Sequence, residues 1–189
     1  MRLAFLFCLF SIFASAQNCE YDIEFQNDSL SLKETKKYLI YEHAFAKKSN
    51  YMFLSLSNDN GYLLLNIQRV QKSDAFIETE CLDKNSRIFI QLTNGKIYTL
   101  VHQEKEVCST RFSSGTNENI RVLNSSFFFV KDDFEDLKKH PVSLMQIRYG
   151  AGDKTNYVFE KELVSKNLEV TTQPQRFFIE NFKCVEEIN

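Results

Sequence analysis

The sequence predicts a mainly β fold: an antiparallel β-sandwich or open barrel of about 8–10 strands. Three observations predict it. Two Asn-Gly dipeptides, Asn60-Gly61 and Asn94-Gly95, each separate two β-like runs. Runs enriched in β-branched and aromatic residues recur along the chain, and all 5 glycines fall in expected turns or loops.

The hairpin Tyr51–Val70 is the clearest element. Asn-Gly suits a two-residue turn because both turn residues need φ > 0. Paired residue numbers then sum to 121, so Leu54 faces Ile67 and Leu56 faces Leu65. The opposite face pairs Ser55 with Asn66 and Phe53 with Gln68, giving one apolar and one mixed face. The same rule around Asn94-Gly95 gives a sum of 189 and pairs Leu92/Ile97, Ile90/Thr99 and Ile88/Val101. Further strands are expected at Tyr21–Phe25, Tyr38–Phe45, Ala75–Glu80, Asn119–Leu123, Phe127–Val130, Val142–Tyr149 and Tyr157–Leu163, the last two joined by Gly150-Ala151-Gly152-Asp153. Ser113–Asn119 reads as a loop.

Two helices complete the expectation. One lies near 132–140, where Asp132-Asp133-Phe134-Glu135 offers a capping box and Pro141 a stop. The other lies near 174–185, with Pro174 at its start and Phe177, Phe178, Phe182 and Val185 at helical spacing. Tryptophan is absent and 18 phenylalanines are present, so phenylalanine should dominate the core.

The first 16 residues have the layout of a secretory signal peptide: Arg2, the apolar run Leu3–Phe13, then Ala14-Ser15-Ala16. Cleavage after Ala16 leaves a single β-rich domain over residues 17–189, secreted or periplasmic. The apolar run is shorter than the ~20 residues of a membrane span, and no second such run follows. Gln17 and Asn18 intervene before Cys19, which disfavours a lipoprotein site. Without Arg2, 22 basic residues stand against 25 acidic ones. Lys and Arg are scattered, and a nucleic-acid binder would show a basic face.

Export gives the cysteines a meaning. Cys8 leaves with the signal; Cys19, Cys81, Cys108 and Cys184 remain and read as two disulfides, with three possible connectivities. The hairpin sum of 189 also holds for Cys81 and Cys108, which places them opposite each other. Cys19 and Cys184 are then the second pair, tying the domain's ends. The Cys81–Cys108 bridge should contribute about 3–4 kcal/mol by chain entropy.

Chemistry-bearing patterns are sparse. No Cys-x-x-Cys, His-Glu-x-x-His, Gly-x-Ser-x-Gly or phosphate-binding loop occurs. His43 is expected in a strand, His102 on the surface opposite Arg87, and His140 in a last helical turn. Asn58-Asp59-Asn60-Gly61 lacks the spacing of a calcium loop and reads as a turn. Asn27-Asp28-Ser29 and Asn124-Ser125-Ser126 match the N-glycosylation pattern. No catalytic residue, metal ligand or cofactor is assigned.

Cys19-Glu20-Tyr21, Leu92-Thr93-Asn94-Gly95-Lys96 followed by Leu100, Asp133–Leu137, Ile147-Arg148 and Phe182-Lys183-Cys184-Val185 together span most of the chain. On these the chain resembles a group of small exported β-rich proteins of Bacteroidetes-type bacteria without known activity. The resemblance implies the architecture and adds no site.

The expected function is that of a secreted non-enzymatic domain that binds a macromolecule or serves the envelope. The alternative is a lipocalin-like carrier of a small apolar ligand, although no Gly-x-Trp follows Cys19. A hydrolase with an unrecognised site is the third class.

Overall fold

The computed structural model describes residues 19–27, 29–113, 118–131 and 133–186. The expected signal peptide, residues 1–16, lies outside them, as do parts of the 113–119 loop and Asp132 of the expected helix start.

The fold is mainly β and antiparallel. The long hairpin of β4 (Lys48–Asp59) and β5 (Tyr62–Ser73) is its centre. Its register is the expected one: Leu54 pairs with Ile67, Leu56 with Leu65, Ser55 with Asn66 and Phe53 with Gln68. Asn60 and Gly61 both hold positive φ, 49° and 87°, as the two-residue turn requires. β11 (Asn119–Phe129) adds on the other side of β5 as one continuous strand. Two strands, Asn119–Leu123 and Phe127–Val130, were expected there. Asn124-Ser125-Ser126 lies in mid-strand, because its backbone pairs with Gln68, Ile67 and Asn66.

Beyond β11 follow β8 (Ile97–His102), β7 (Arg87–Leu92), β12 (Val142–Arg148) and β13 (Lys154–Val158). On the far side of β4 lie β2 (Ser31–Thr35) and then β1 (Tyr21–Gln26). The 11-stranded sheet runs β1-β2-β4-β5-β11-β8-β7-β12-β13, with β3 (Tyr38–Phe45) also on β4 and β10 (Thr110–Ser113) also on β11. Two small ribbons pair β6 (Cys81–Leu82) with β9 (Val107–Cys108) and β14 (Leu163–Ser165) with β15 (Val170–Thr172). The 15 strands among the described residues exceed the expected count because seven of them are only 2 to 5 residues long. Segments this short carry too little alternation of their own to be read as strands. The sheet does not close, yet it curls until Tyr41 of β3 meets Tyr157 of β13 edge-to-face at 5.2 Å.

Three local expectations fail. Ala75–Glu80 forms no strand. Its backbone serves side chains instead: the Ile77 carbonyl accepts from Arg121 Nε, and the Glu80 N–H donates to Ser109 Oγ. The strand begun near Tyr157 ends at Val158, and Leu163 opens β14. The 133–140 part of the helix expected near 132–140 is a series of turns rather than a helix. The Asp133 and Asp136 carboxylates hold Lys96 Nζ, and only scattered bonds such as Lys138 N–H to the Phe134 carbonyl form. The stretch before Pro141 is too short to recover the cost of helix nucleation.

The β7–β8 hairpin is displaced by one residue. Ile90 pairs with Tyr98 and Ile88 with Leu100, so partner numbers sum to 188 rather than 189. Gly95 takes φ 86° while Asn94 stays at negative φ, and Leu92 N–H donates to the Lys96 carbonyl. This is a three-residue loop with its left-handed position at Gly95. The slip turns Tyr98, Leu100 and His102 inward and leaves Ile97 58% exposed.

The C-terminal helical run is present, as a 3₁₀ turn (Pro174–Arg176), α1 (Phe177–Asn181) and a second 3₁₀ turn (Phe182–Cys184). It fills the inner side of the curled sheet. Phe177, Phe178 and Phe182 are buried there with Leu54, Leu56, Leu65, Phe127 and Met145. Phe129, Phe134, Phe178 and Phe182 meet at ring distances of 4.9–6.4 Å. Outside the sheet, Leu163 packs with Leu39 and Tyr51 in a small second core. At one rim a turn is locked by Gly150, where a Cβ would lie 2.1 Å from the Asp83 carboxylate. That carboxylate accepts from the N–H groups of Asn85 and Ser86 and from Ser86 Oγ.

Candidate functional site

Both expected disulfides are present, Cys19–Cys184 and Cys81–Cys108. Cys81 and Cys108 stand directly opposite each other in the β6–β9 ribbon. The hairpin slip does not separate them, because the connection after His102 is one residue longer than the one before Ser86. Among the described residues, Cys81, Glu106 and Cys108 are the grouping with metal-ligand proximity, and the two sulfurs are bonded to each other.

The outer face of the central strands carries the most developed arrangement of polar side chains. Alternation points Leu54, Leu56, Leu65 and Ile67 to the core, so Phe53, Ser55, Asn66 and Gln68 face outward. β11 adds Asn124 opposite Gln68 and Ser126 opposite Asn66. These residues, with Glu34 of β2 and Lys37 at its end, line an open groove of about 240 Å³. Its floor is cross-linked. Ser126 Oγ donates to Asn66 Oδ1 at 2.6 Å, Asn66 Nδ2 to Ser57 Oγ at 3.0 Å, and Gln68 Nε2 to Asn124 Oδ1 at 2.8 Å. Ser55 Oγ donates to Glu34 Oε1 at 2.7 Å. One bond uses only part of an amide's capacity, so the floor retains donors and acceptors. Lys37 forms no ion pair among the described residues.

A second groove, of about 410 Å³, opens where the inner face runs out of apolar residues. His43, Asn50, Gln71, Phe76 and Glu80 line it. Beneath lies buried Arg69, whose Nη1 donates to the Glu80 carboxylate and, at 3.3 Å, to Tyr149 Oη, while Nε donates to Asn50 Oδ1 at 3.0 Å. Burial pushes the Tyr149 and Tyr157 hydroxyls above the usual phenol range. Tyr157 Oη is buried without a hydrogen-bond partner.

His102 is not the surface residue expected. It lies opposite Ser86 rather than Arg87, is 5% exposed, and stacks edge-on against Phe127 at 5.1 Å. Its Nε2 hydrogen-bonds Ser125 Oγ at 2.5 Å on the core side of the sheet. The histidine–serine pair is thus on the core side, although Ser125 also borders the outer groove. Burial holds the His102 imidazole below its usual range, against the raising influence of Asp83. The neutral form is thus favoured in the folded state, and stability falls as pH drops through the unfolded value near 6.5. We expect the urea midpoint to decline between pH 7 and 5, and His102→Gln to flatten that decline. An unchanged pH profile in the variant would remove His102 as its source. The Asp83 carboxyl, lowered although burial opposes it through bonds from Asn85 and Ser86, acts in a separate window below its ordinary range.

His140 lies in the turns before Pro141, its Nε2 3.5 Å from Asp136 Oδ1. Asn58 Oδ1 accepts from Gly61 N–H, which is the expected turn role. Asn124 of the glycosylation pattern is exposed in the outer groove, whereas Asn27 Oδ1 accepts from the N–H groups of Ser29 and Leu30. The sequence had paired Ser55 with Asn66 and Phe53 with Gln68, half of the groove. The β11 row was missed because its register is non-local. Arg69 and Glu80 carried no motif; the lone arginine among inward positions of β5 was the available signal.

No protein-family model matches the sequence, and neither a curated protein nor a solved structure matches it.

Proposed function

We propose that this chain is an exported, non-catalytic β-domain that binds a macromolecule, or serves the envelope, through its outer surface. The observation that carries this reading is the division of the sheet into two unlike faces. The inner side is filled by Phe177, Phe178 and Phe182, whereas the outer side keeps an open, pre-bonded polar groove. The apolar interior is filled, and the groove of about 410 Å³ on the inner face is open and lined by His43, Asn50, Gln71 and Glu80 beside Phe76, which supports surface recognition over carriage of an apolar ligand inside a barrel. Two disulfides support an oxidising compartment. Among the described residues no helix is long and apolar enough to cross a membrane.

The test expresses the full chain with its own leader in a bacterial host. The expected product is exported, begins at Gln17 and has no free thiol. Folded, it shows no saturable binding of an anilinonaphthalene sulfonate probe. Cytosolic retention with reduced cysteines would sink the export reading. Stoichiometric probe binding would replace surface recognition with the carrier.

A further inference from the structure

We propose that the outer-face groove binds one sugar unit of a neutral polysaccharide. This rests on the surface-binding reading and names its ligand class. The floor consists of Ser55, Asn66, Gln68, Asn124 and Ser126, drawn from three adjacent strands, and none of them is charged. A sugar hydroxyl both donates and accepts, and so do amides and hydroxyls, so such a floor matches vicinal hydroxyls in either sense. Carboxylate and phosphate ligands want a forked arginine or a surplus of positive charge. Here the single Lys37 is balanced by Glu34, which repels anions. An apolar ligand would cover the donors and acceptors that the amides' mutual bonds leave unused and offer them nothing in return. Half-buried Phe53 borders the floor and offers an apolar surface to the C–H face of a pyranose ring.

Size and rigidity agree. About 240 Å³ falls short of the ~300–1,000 Å³ of pockets for drug-sized ligands and suits a single ring. The groove is open, so a polymer can continue beyond it. The bonds Ser126–Asn66, Asn66–Ser57 and Gln68–Asn124 already hold the floor's rotamers, which lowers the ordering cost of binding.

The test is affinity electrophoresis of the oxidised domain, made in a host without N-glycosylation so that Asn124 is bare. The gels contain cellulose derivative, β-1,3-glucan, xylan or mannan, with heparin as the anionic control. We expect at least one neutral polysaccharide to retard the protein. Asn66→Ala/Gln68→Ala, and separately Asn124→Ala, should weaken that retardation about tenfold, while Lys161→Ala should leave it unchanged. Circular dichroism confirms that each variant is folded. The proposal is overturned if no neutral polysaccharide retards the protein, if heparin alone does, or if the groove variants bind like the parent. An exported protein without probe binding that ignores every polysaccharide loses only this inference. A cytosolic or probe-binding protein loses the reading beneath it.

Discussion

Replacing both Cys19 and Cys184 with serine lowers the unfolding free energy by about 4–5 kcal/mol, the largest loss expected from any single feature of this chain. The bridge spans 165 residues, so it withholds more freedom from the unfolded chain than the Cys81–Cys108 bridge, which spans 27. In the chain-entropy account the latter is worth about 3–4 kcal/mol. Local packing reinforces the longer bridge. Tyr21 Oη donates to the Cys184 carbonyl at 2.9 Å, and Asn58 Nδ2 donates to that of Val185 at 2.8 Å. These bonds hold edge strand β1 and the C-terminal helical run against the centre of the sheet. Urea unfolding of the double-serine variant measures the effect. A loss below about 1 kcal/mol would mean that these contacts, rather than the covalent link, hold the ends together.

The second large effect centres on Arg69. Glu80→Ala leaves its buried guanidinium without a carboxylate and should cost about 3 kcal/mol, the low end of the range for a broken buried pair. The low end applies because the Glu80 side chain is 29% exposed and water partly replaces it. Replacing both partners, as Arg69→Met with Glu80→Leu, should cost clearly less than Glu80→Ala alone, because no uncompensated charge stays buried. Chemical denaturation of the parent, Arg69→Met, Glu80→Leu and the double variant gives the coupling directly. If Glu80→Ala costs under 1 kcal/mol, Asn50 and Tyr149 suffice to hold the guanidinium.

How far the sequence reaches depends on how local the deciding interaction is. At Asn60-Gly61 the turn chemistry and the alternation of Leu54, Leu56, Leu65 and Ile67 agree, and the register follows from them. At Asn94-Gly95 the turn chemistry admits two loop lengths. β8 is apolar on both sides of its alternation, with Ile97 and Val101 against Tyr98 and Leu100, so the pattern does not choose. The deciding contacts come from elsewhere: Thr93 N–H donates to the Pro141 carbonyl and Asn94 Nδ2 to Asp136. Contacts to the same loop accompany the missing helix at 133–140, whose Asp133 and Asp136 are engaged by Lys96. The candidate site divides in the same way. Its β4–β5 half follows from a hairpin sum, and its β11 half rests on a pairing that crosses more than 50 residues of chain.

Turn chemistry and alternation within the sequence account for the β class, the register of the central hairpin and the C-terminal helical run, and the sequence pointed to the two disulfides that form although the hairpin register it used is shifted by one residue. Each rests on short-range turn chemistry, on alternation, or on the small number of ways four thiols can pair. Only the tertiary structure decided the β7–β8 register, the continuity of β11, the burial of His102 and the joining of three polar rows into one groove. Those features arise where distant strands meet, and a one-residue shift in such a pairing costs nothing locally while it moves every side chain to the opposite face.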